Sequence, residues 1–234
     1  MLRPYPIPFT LFIKKGKVFR KPMAKNTKSS PAIVFDFGGV LMDWDPHYLY
    51  DKLPGYDRQA VERFLNEVDF FTWNLEHDRG RSFAENTAEL IARFPHYRDL
   101  IRAYDERYLE SLSGPVEPVV QILCALKDAG YPLYGLSNWP AEKFALVRPM
   151  HPFFEYFEAI VISGEVGLVK PDKEIFELLL ARIGRPAGEC LLVDDSDRNI
   201  LAARELGFQT IYFRSPGQLA ADLHSLGILD SNTA

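Results

Sequence analysis

The stretch Ala32-Ile33-Val34-Phe35-Asp36-Phe37-Gly38-Gly39 decides how this chain folds. It is a short apolar, β-branched run that ends in an acidic residue and is followed by two glycines. A strand whose two faces are both covered by helices has this continuous apolar pattern. The stretch therefore predicts a buried strand of a parallel sheet, with Asp36 at its carboxyl end.

Four further apolar runs of this kind follow along the chain. They cover residues 131–137, 159–163, 190–194 and 209–213. Segments with helical spacing of apolar residues alternate with them, at 116–129, 172–183, 199–206 and 216–226. Alternating strands and helices are typical of a parallel sheet that helices cover on both faces. We therefore predict an α/β fold with a Rossmann-like parallel sheet.

The segment from 46 to 113 interrupts this alternation. It is rich in aromatic and charged residues, its apolar residues have helical spacing, and it contains no strand-like run. An all-helical insertion after the first strand would form a cap over the carboxyl edge of the sheet, where open α/β sheets bind ligands. We expect a core formed by 31–45 and 114–234, and a helical cap formed by 46–113.

The composition indicates a globular, water-soluble protein. The chain has 234 residues, 47% of them hydrophobic, and a net charge of −5. These values exclude a wholly disordered chain, and no uninterrupted apolar run is long enough to cross a membrane. Cys124 and Cys190 are too few for a disulfide scaffold and suit a reducing compartment. We therefore predict a cytoplasmic protein without a membrane partner; whether it is a monomer or a homodimer stays open.

The charge is unevenly distributed along the chain. Residues 1–35 contain eight basic residues and no acidic residue, so the remainder carries a net charge of −13. That excess of acidic residues argues against a nucleic-acid-binding surface on the folded part. We interpret 1–30 as a disordered basic leader. A basic arm for an acidic partner or membrane surface, a targeting presequence, and an upstream start codon with Met23 as initiator are the alternatives.

Polar side chains follow several of the predicted strands. They are Asp36, Ser137-Asn138, Lys170 and Asp194-Asp195. Each alone has a structural explanation, such as a helix cap or a turn. Because the carboxyl ends of parallel strands meet at one edge of the sheet, their joint placement indicates an active site.

Four motifs resemble those of the haloacid dehalogenase superfamily, in the branch that has a helical cap after the first strand. They read FDFGGVL at 35–41, GLSN at 135–138, GLVKP at 167–171 and VDDSDRN at 193–199. The resemblance covers residues 31 to about 226. It implies the fold, but the superfamily hosts phosphatases, dehalogenases, mutases and phosphonatases on one scaffold.

The resemblance implies a role for each of these residues. Asp36 would be the nucleophile that forms a covalent aspartyl intermediate, with Ser137 and Lys170 as the other catalytic residues. Asp36, a backbone carbonyl near Gly38, Asp195 and Asp194 would hold a Mg²⁺ ion. Asp194 could instead hold the water shell of the metal or orient Lys170. The expected substrate-binding residues are Gly38, Gly39, Asn138, Trp73 and Asn74.

One position departs from the phosphatases of this superfamily. They usually carry a second Asp two residues after the nucleophile, as general acid and base, and this chain has Gly38 there. Losing such a group typically costs ~10²–10⁴-fold in rate. The loss would be smallest for a leaving group that departs easily, such as a sugar anomeric hydroxyl. Asp43, Asp45 or His47 could supply the proton instead.

A similar departure occurs in α-D-glucose-1-phosphate phosphatase-like relatives, which the chain also resembles in NLEHDRG at 74–80. We therefore predict a Mg²⁺-dependent phosphatase whose partner is a small, sugar-type organic phosphate. Several side chains of the cap could face the site and select the substrate, or could belong to the cap's core and its solvated face. They are Trp73, Asn74, Glu76, Asp78 and Arg79.

Two other functions stay open. In a metal-independent 2-haloacid dehalogenase, Asp36 would attack carbon and expel halide, so that neither a second Asp nor a metal is needed. Asp194-Asp195 argues against this, because two acids without a counter-charge oppose binding of a carboxylate and release of an anion. A non-catalytic binding or regulatory module is the other alternative, but it has no need of the complete set of Asp36, Ser137, Lys170 and Asp195.

Overall fold

A five-stranded parallel sheet forms the centre of the protein. The computed structural model describes residues 30–229, so the predicted leader, apart from Ser30, lies outside the described residues. Within this range, the strands are β1 (Ala32–Phe35), β2 (Met42–Trp44), β3 (Leu112–Pro115), β4 (Leu133–Ser137), β5 (Ala159–Ile162), β6 (Cys190–Asp194) and β7 (Gln209–Tyr212). The main sheet has the order β5-β4-β1-β6-β7, which places β1 at its centre.

Helices fill the segments between the strands, as the alternation of patterns predicts. They are α1 (Pro46–Tyr50), α2 (Arg58–Glu67), α3 (Phe70–Asp78), α4 (Phe83–Arg93), α5 (Arg98–Glu106), α6 (Glu117–Asp128), α7 (Ala141–Val147), α8 (Ser163–Val166), α9 (Lys173–Ile183), α10 (Asp197–Glu205) and α11 (Pro216–Ser225). The fold is thus the predicted α/β class, a Rossmann-like parallel sheet between layers of helices.

Helices cover both faces of the central strand, which explains its continuous apolar sequence. Ala32 and Val34 pack in one apolar cluster with residues of α9 and α10. Ile33 and Phe35 pack in the other cluster, with residues of α6 and α11. Because side chains alternate between the two faces of a strand, all four are fully buried.

The segment between β2 and β3, which is the predicted insertion, contains α1 to α5. This agrees with the helical spacing of its apolar residues. The sequence did not predict that β2 and β3 pair as an antiparallel ribbon, with Met42 opposite Pro115. Each strand has only three or four residues, and Leu112–Pro115 contains Gly114 and Pro115, which are typical of a turn. The pairing arises because the two connections to the insertion run side by side.

One apolar cluster is continuous from the face of the sheet into the insertion. From the core it includes Phe35 of β1 and Leu123 of α6. From the insertion it includes Phe64, Phe83 and Tyr104. This shared packing fixes the insertion against the rest of the fold. Among residues 30–229, no helix is long and apolar enough to cross a membrane.

Candidate active site

The topology brings the polar residues predicted for the site to one edge of the sheet. Asp36 directly follows β1, Ser137 ends β4, and Asp194 ends β6. Strands β4 and β6 are the two neighbours of β1, and all three run parallel. Their carboxyl ends therefore lie together, as parallel pairing requires.

Both carboxylate oxygens of Asp36 contact neighbouring groups that hold the side chain in place. Its Oδ1 accepts hydrogen bonds from the backbone N–H of Phe37 at 2.7 Å and from the Ser137 hydroxyl at 2.8 Å. Its Oδ2 lies 2.9 Å from Nζ of Lys170. Asp36 is 7% exposed, so this small accessible surface is what a ligand in the adjacent cavity can reach.

Lys170 bridges Asp36 to a second, fully buried acid. Its Nζ donates to Oδ2 of Asp194 at 2.6 Å. Asp194 also accepts hydrogen bonds from the backbone N–H of Ser196 at 2.9 Å and from the Asn199 amide at 3.0 and 3.1 Å. These bonds fix the Asp194 carboxylate against the Lys170 ammonium, a geometry that permits the predicted alternative role of Asp194 in orienting Lys170.

The side chain of Asn138 positions Lys170 through its backbone. Its amide donates to the carbonyl of Lys170 at 2.9 Å, and its oxygen accepts from the N–H of Lys170 at 2.8 Å. Both polar groups of the Asn138 side chain are therefore engaged with Lys170, and the substrate contact of Asn138 stays a prediction for its backbone amide.

Burial and charge shift the pKa values of the reactive groups. Burial raises the pKa of Asp36 to about 7; Lys170 opposes this shift, while Asp194 and Asp195 add to it. Burial disfavours the Lys170 ammonium, but Asp194 and Asp36 outweigh it and hold the pKa of Lys170 above its ordinary value. Burial, followed by Asp194, also raises the pKa of Asp195. The site thus contains more negative charge than one lysine compensates.

The three acids form a group that suits a hard cation. One oxygen each of Asp36, Asp194 and Asp195 lies within 4.8 Å of the others. Carboxylate oxygens are the ligands that Mg²⁺ prefers, and Mg²⁺ usually keeps several waters besides. Asp195 packs against Gly39, where a Cβ atom would occupy the space of its carboxylate. The residues present therefore fit a divalent cation.

A cavity of about 360 Å³ opens above this group. It brings together most of the predicted site residues, among them Asp36, Asn74 from the insertion, and Asp195. The complete lining is Asp36, Gly38, Gly39, Trp44, Asn74, Asp78, Tyr108, Asn138, Trp139, Pro140 and Asp195. The cavity therefore lies between the edge of the sheet and the insertion.

The structure does not bring the predicted substrate-binding residue Trp73 to this cavity. Its side chain is 5% exposed and packs against Phe70, His77 and Tyr104 inside the insertion. Its indole N–H donates to the carbonyl of Asn86 at 3.4 Å. These contacts place Trp73 in the core of the insertion, on a face of α3 that does not line the cavity.

The polar residues of α3 and its C-terminal cap lie on different faces of the helix. Asn74 and Asp78, four residues apart, share the face that lines the cavity. Glu76 and Arg79 are exposed, and Arg79 lies 3.7 Å from Asp172. The sequence alone could not show which face of α3 meets the sheet edge.

The three residues considered as replacements for the second Asp lie elsewhere. Asp43 accepts a hydrogen bond from the Tyr48 hydroxyl, and Asp45 caps α1 by accepting from the N–H of His47. Asp45 and His47 line a separate cavity of about 390 Å³. Asp43, Asp45 and His47 are all absent from the lining of the cavity that contains Asp36.

Sequence reasoning missed two aromatic residues of the cavity wall. Trp44 lies in β2 and Tyr108 lies between α5 and β3, so each belongs to one of the two connections between core and insertion. A signal existed, because connections that join an insertion to the sheet edge must pass the cleft between them. Trp139, which directly follows Asn138, is 3% exposed and lines the cavity as well.

Known phosphatases are similar to this chain in sequence over most of its length. A sesquiterpene phosphatase of Aspergillus oryzae is 27% identical over 200 residues, which cover 83% of this chain and 95% of that protein. A phosphoglycolate phosphatase of Yersinia pseudotuberculosis is 27% identical over 209 residues, which cover 84% and 88%.

Solved structures agree on the fold. A haloacid dehalogenase family enzyme from Bacteroides thetaiotaomicron superposes with a TM-score of 0.66 at 23% identity, covering 80% of this chain and 95% of that chain. The complex of that enzyme with magnesium and inorganic phosphate gives a TM-score of 0.61 at 24% identity, covering 80% and 95%.

A family model completes the comparison. The model of haloacid dehalogenase-like hydrolases matches residues 31–207, which include all four motifs and the whole insertion. The resemblance stated from the motifs is thereby confirmed, and the chain belongs to the haloacid dehalogenase-like hydrolases.

Proposed function

We propose that this hydrolase is a Mg²⁺-dependent phosphatase that cleaves a small organic phosphate ester through an aspartyl-phosphate intermediate. One observation carries the proposal: a nearly buried carboxylate, Asp36, faces a cavity while Ser137 and Lys170 hold it in place. A carboxylate fixed in this way can attack phosphorus without first losing conformational freedom.

The chain supplies the groups that a transferring phosphoryl needs. Asp36 presents one oxygen to phosphorus, and the Lys170 ammonium places a positive charge beside it. Asp194 keeps that ammonium charged and oriented, since it accepts from Nζ at 2.6 Å. The Ser137 hydroxyl and the backbone amide of Asn138 are the donors that we assign to the phosphoryl oxygens.

Asp36, Asp195 and the carbonyl of Gly38 would hold Mg²⁺, with Asp194 behind them. When bound, the cation would neutralise charge on the phosphoryl oxygens and on the three carboxylates. The fit rests on the carboxylate group within 4.8 Å and on the missing side chain at Gly39. A positive ion there also favours the ionised form of Asp36, whose pKa burial otherwise raises.

The cavity gives a first indication of the substrate class. Its walls combine aromatic rings, Trp44, Tyr108 and Trp139, with the polar side chains of Asn74 and Asp78. Such a wall can pack on a sugar ring and donate to its hydroxyl groups. We therefore keep the sugar-type phosphate as the substrate proposed for this chain. The similar sesquiterpene and phosphoglycolate phosphatases justify testing a terpenyl phosphate and phosphoglycolate beside it.

The test measures release of inorganic phosphate from a panel of esters. The panel contains p-nitrophenyl phosphate, a hexose 1-phosphate, a terpenyl phosphate and phosphoglycolate, each with Mg²⁺ or with EDTA. We expect turnover with Mg²⁺, its loss in EDTA, and its recovery when Mg²⁺ is restored. Asp36→Asn should abolish turnover and leave the thermal unfolding profile of a folded protein, because the amide cannot act as the nucleophile.

The same preparation separates this function from its alternatives. Chloride release from L-2-chloropropionate that is insensitive to EDTA would identify a dehalogenase and overturn the proposal. Tight binding of phosphate esters without turnover of any of them would identify a binding module. Phosphate release by Asp36→Asn at the wild-type rate would overturn the mechanism.

A further inference from the structure

Asp78 is an acid of the insertion that lies at the reaction cavity. It is the last residue of α3, it is 7% exposed, and it lines the same cavity as Asp36. The insertion therefore adds a carboxyl group to a cavity whose other acids belong to the sheet edge. In a phosphatase of the function proposed above, a general acid and base must transfer protons to the leaving ester oxygen and from the attacking water. Gly38 has no side chain that could do this.

The hydrogen bonds of Asp78 leave one of its oxygens without a partner. Oδ2 faces the amide of Asn74 at 3.4 Å, and the Tyr104 hydroxyl donates to the oxygen of that amide at 2.7 Å. Oδ1 is buried and has no hydrogen-bond partner among residues 30–229. A buried polar atom without a partner costs free energy, which a ligand that bonds to it recovers.

Asp78 has no ion-pair partner among the described residues. Within residues 30–229 no lysine or arginine forms an ion pair with it; its neighbour Arg79 points to Asp172, and Lys170 pairs with Asp36 and Asp194. Burial, followed by the charge of Asp36, raises the pKa of Asp78 to about 7, and Lys170 opposes the shift. A group of this kind both donates and accepts a proton near neutral pH.

We propose that Asp78 is the catalytic acid and base of this hydrolase, in the role that Gly38 cannot fill. The inference rests on the proposed phosphatase function. Asn74 and Tyr104 act as positioning residues, because their hydrogen bonds place the proton of neutral Asp78 on Oδ1. The other candidates fail on position, since Asp43, Asp45 and His47 do not line the cavity.

The first step transfers the phosphoryl group to the enzyme. An oxygen of Asp36 forms a bond to phosphorus while the bond from phosphorus to the ester oxygen breaks. The proton of Asp78 goes to that ester oxygen, which leaves as an alcohol, and Asp78 becomes a carboxylate. The charge lost from Asp36 is thus regained on Asp78 and the proton count balances.

The second step releases phosphate. Asp78, now ionised, takes a proton from a water molecule as the water oxygen forms its bond to phosphorus. The bond from phosphorus to Asp36 breaks and returns the carboxylate of Asp36. Asp78 is again neutral, so one ester and one water have become one alcohol and one hydrogen phosphate.

The test compares two leaving groups in Asp78→Asn. An alkyl or sugar phosphate needs a proton on its leaving oxygen, whereas p-nitrophenolate leaves as a stable anion. We expect kcat for the alkyl substrate to fall ~10²–10⁴-fold and kcat for p-nitrophenyl phosphate to fall far less. Across a series of aryl phosphates, the rate should depend more steeply on the acidity of the phenol in the variant than in the wild type.

Glu76→Gln is the matched control, because Glu76 lies on the same helix but is exposed to solvent. It should leave both substrates at wild-type rates. Equal losses for both leaving groups in Asp78→Asn, or no loss, would overturn the assignment of Asp78 while the wild-type activity keeps the phosphatase function intact. A wild-type enzyme that hydrolyses no phosphate ester would overturn both.

Discussion

The Asp195 carboxylate lies where a side chain on residue 39 would have to be, so Gly39 and Asp195 can be neighbours only because residue 39 is glycine. Gly39 also has a φ of +74°, a conformation that other residues rarely adopt. The loop after β1 is therefore shaped around an acid that follows β6. The adjacent Gly38 differs, since a Cβ atom there would have no neighbour within 4 Å.

This contrast gives a prediction for the cation site. Gly39→Ala should displace Asp195 and weaken Mg²⁺ binding by at least tenfold, which corresponds to about 1.4 kcal/mol. Isothermal titration with Mg²⁺ measures this directly, and thermal unfolding checks that the variant is folded. Gly38→Ala is the control and should bind Mg²⁺ as the wild type does. Equal binding by both variants would contradict a role of Asp195 in the site.

The sequence predicted the sheet and the reactive group because both depend on local patterns. The apolar run that ends in Asp36 needs no knowledge of its neighbours to indicate a buried strand. The same holds for Ser137 and Asp194, each of which ends such a run. Parallel strands then require that these three residues meet, and the structure places them together.

The insertion was less predictable, because its function depends on which helix face meets the sheet. Trp73 and Asp78 lie on one helix, and the sequence could not show that Asp78 faces the cavity while Trp73 faces the core of the insertion. The ribbon of β2 and β3 escaped prediction for a related reason: its pairing joins residues about seventy positions apart, such as Met42 and Pro115.

A partly buried ion pair joins the insertion to α7. Nζ of Lys143 donates to the carbonyl and to Oδ1 of Asp105, at 2.8 and 2.6 Å, and lies 4.0 Å from the ring centroid of Phe83. Lys143→Met should lower the free energy of unfolding by about 1–3 kcal/mol. This value lies between those typical of exposed and of buried ion pairs, because Asp105 is partly exposed.

Urea unfolding checks this prediction, with Lys173→Met as the control. Lys173 forms an exposed pair with Glu177 at 3.9 Å, so its loss should change the unfolding free energy by less than about 0.5 kcal/mol. Similar values for the two variants would show that the Lys143 pair does not hold the insertion in place.

The buried acid Asp78 makes the stability depend on pH. Its pKa is about 7 in the folded protein, against an ordinary value of 3.8, with burial as the main cause, Asp36 adding and Lys170 opposing. Below pH 3.8 both states hold the proton and the native protein loses nothing. As the pH rises toward 7, the unfolded chain releases its proton first, so the native state becomes relatively less stable.

Asp78→Asn should therefore become more stable than the wild type as the pH rises from 4 to 8, by on the order of 4 kcal/mol at the upper end. Chemical unfolding in EDTA at a series of pH values measures the difference, and the control Glu76→Gln should show no such trend. A difference that is constant over this pH range would show that Asp78 is ionised throughout.

The open space at Gly38 allows the acid to be moved from the insertion to the sheet. A side chain at residue 38 meets no atom within 4 Å of its Cβ, and residue 38 lines the cavity. We expect the double variant Asp78→Asn with Gly38→Asp to hydrolyse alkyl phosphates at least tenfold faster than Asp78→Asn alone. This increase corresponds to about 1.4 kcal/mol of transition-state stabilisation.

Gly38→Asn in the same background is the matched control, because it fills the same space without a group that can give up a proton. Only the aspartate should recover activity, and it should do so for alkyl rather than p-nitrophenyl esters. Recovery by both residues would mean that residue 38 acts by filling the cavity. Recovery by the aspartate alone would mean that a proton donor at this cavity, whichever side of it supplies the group, is what the reaction needs.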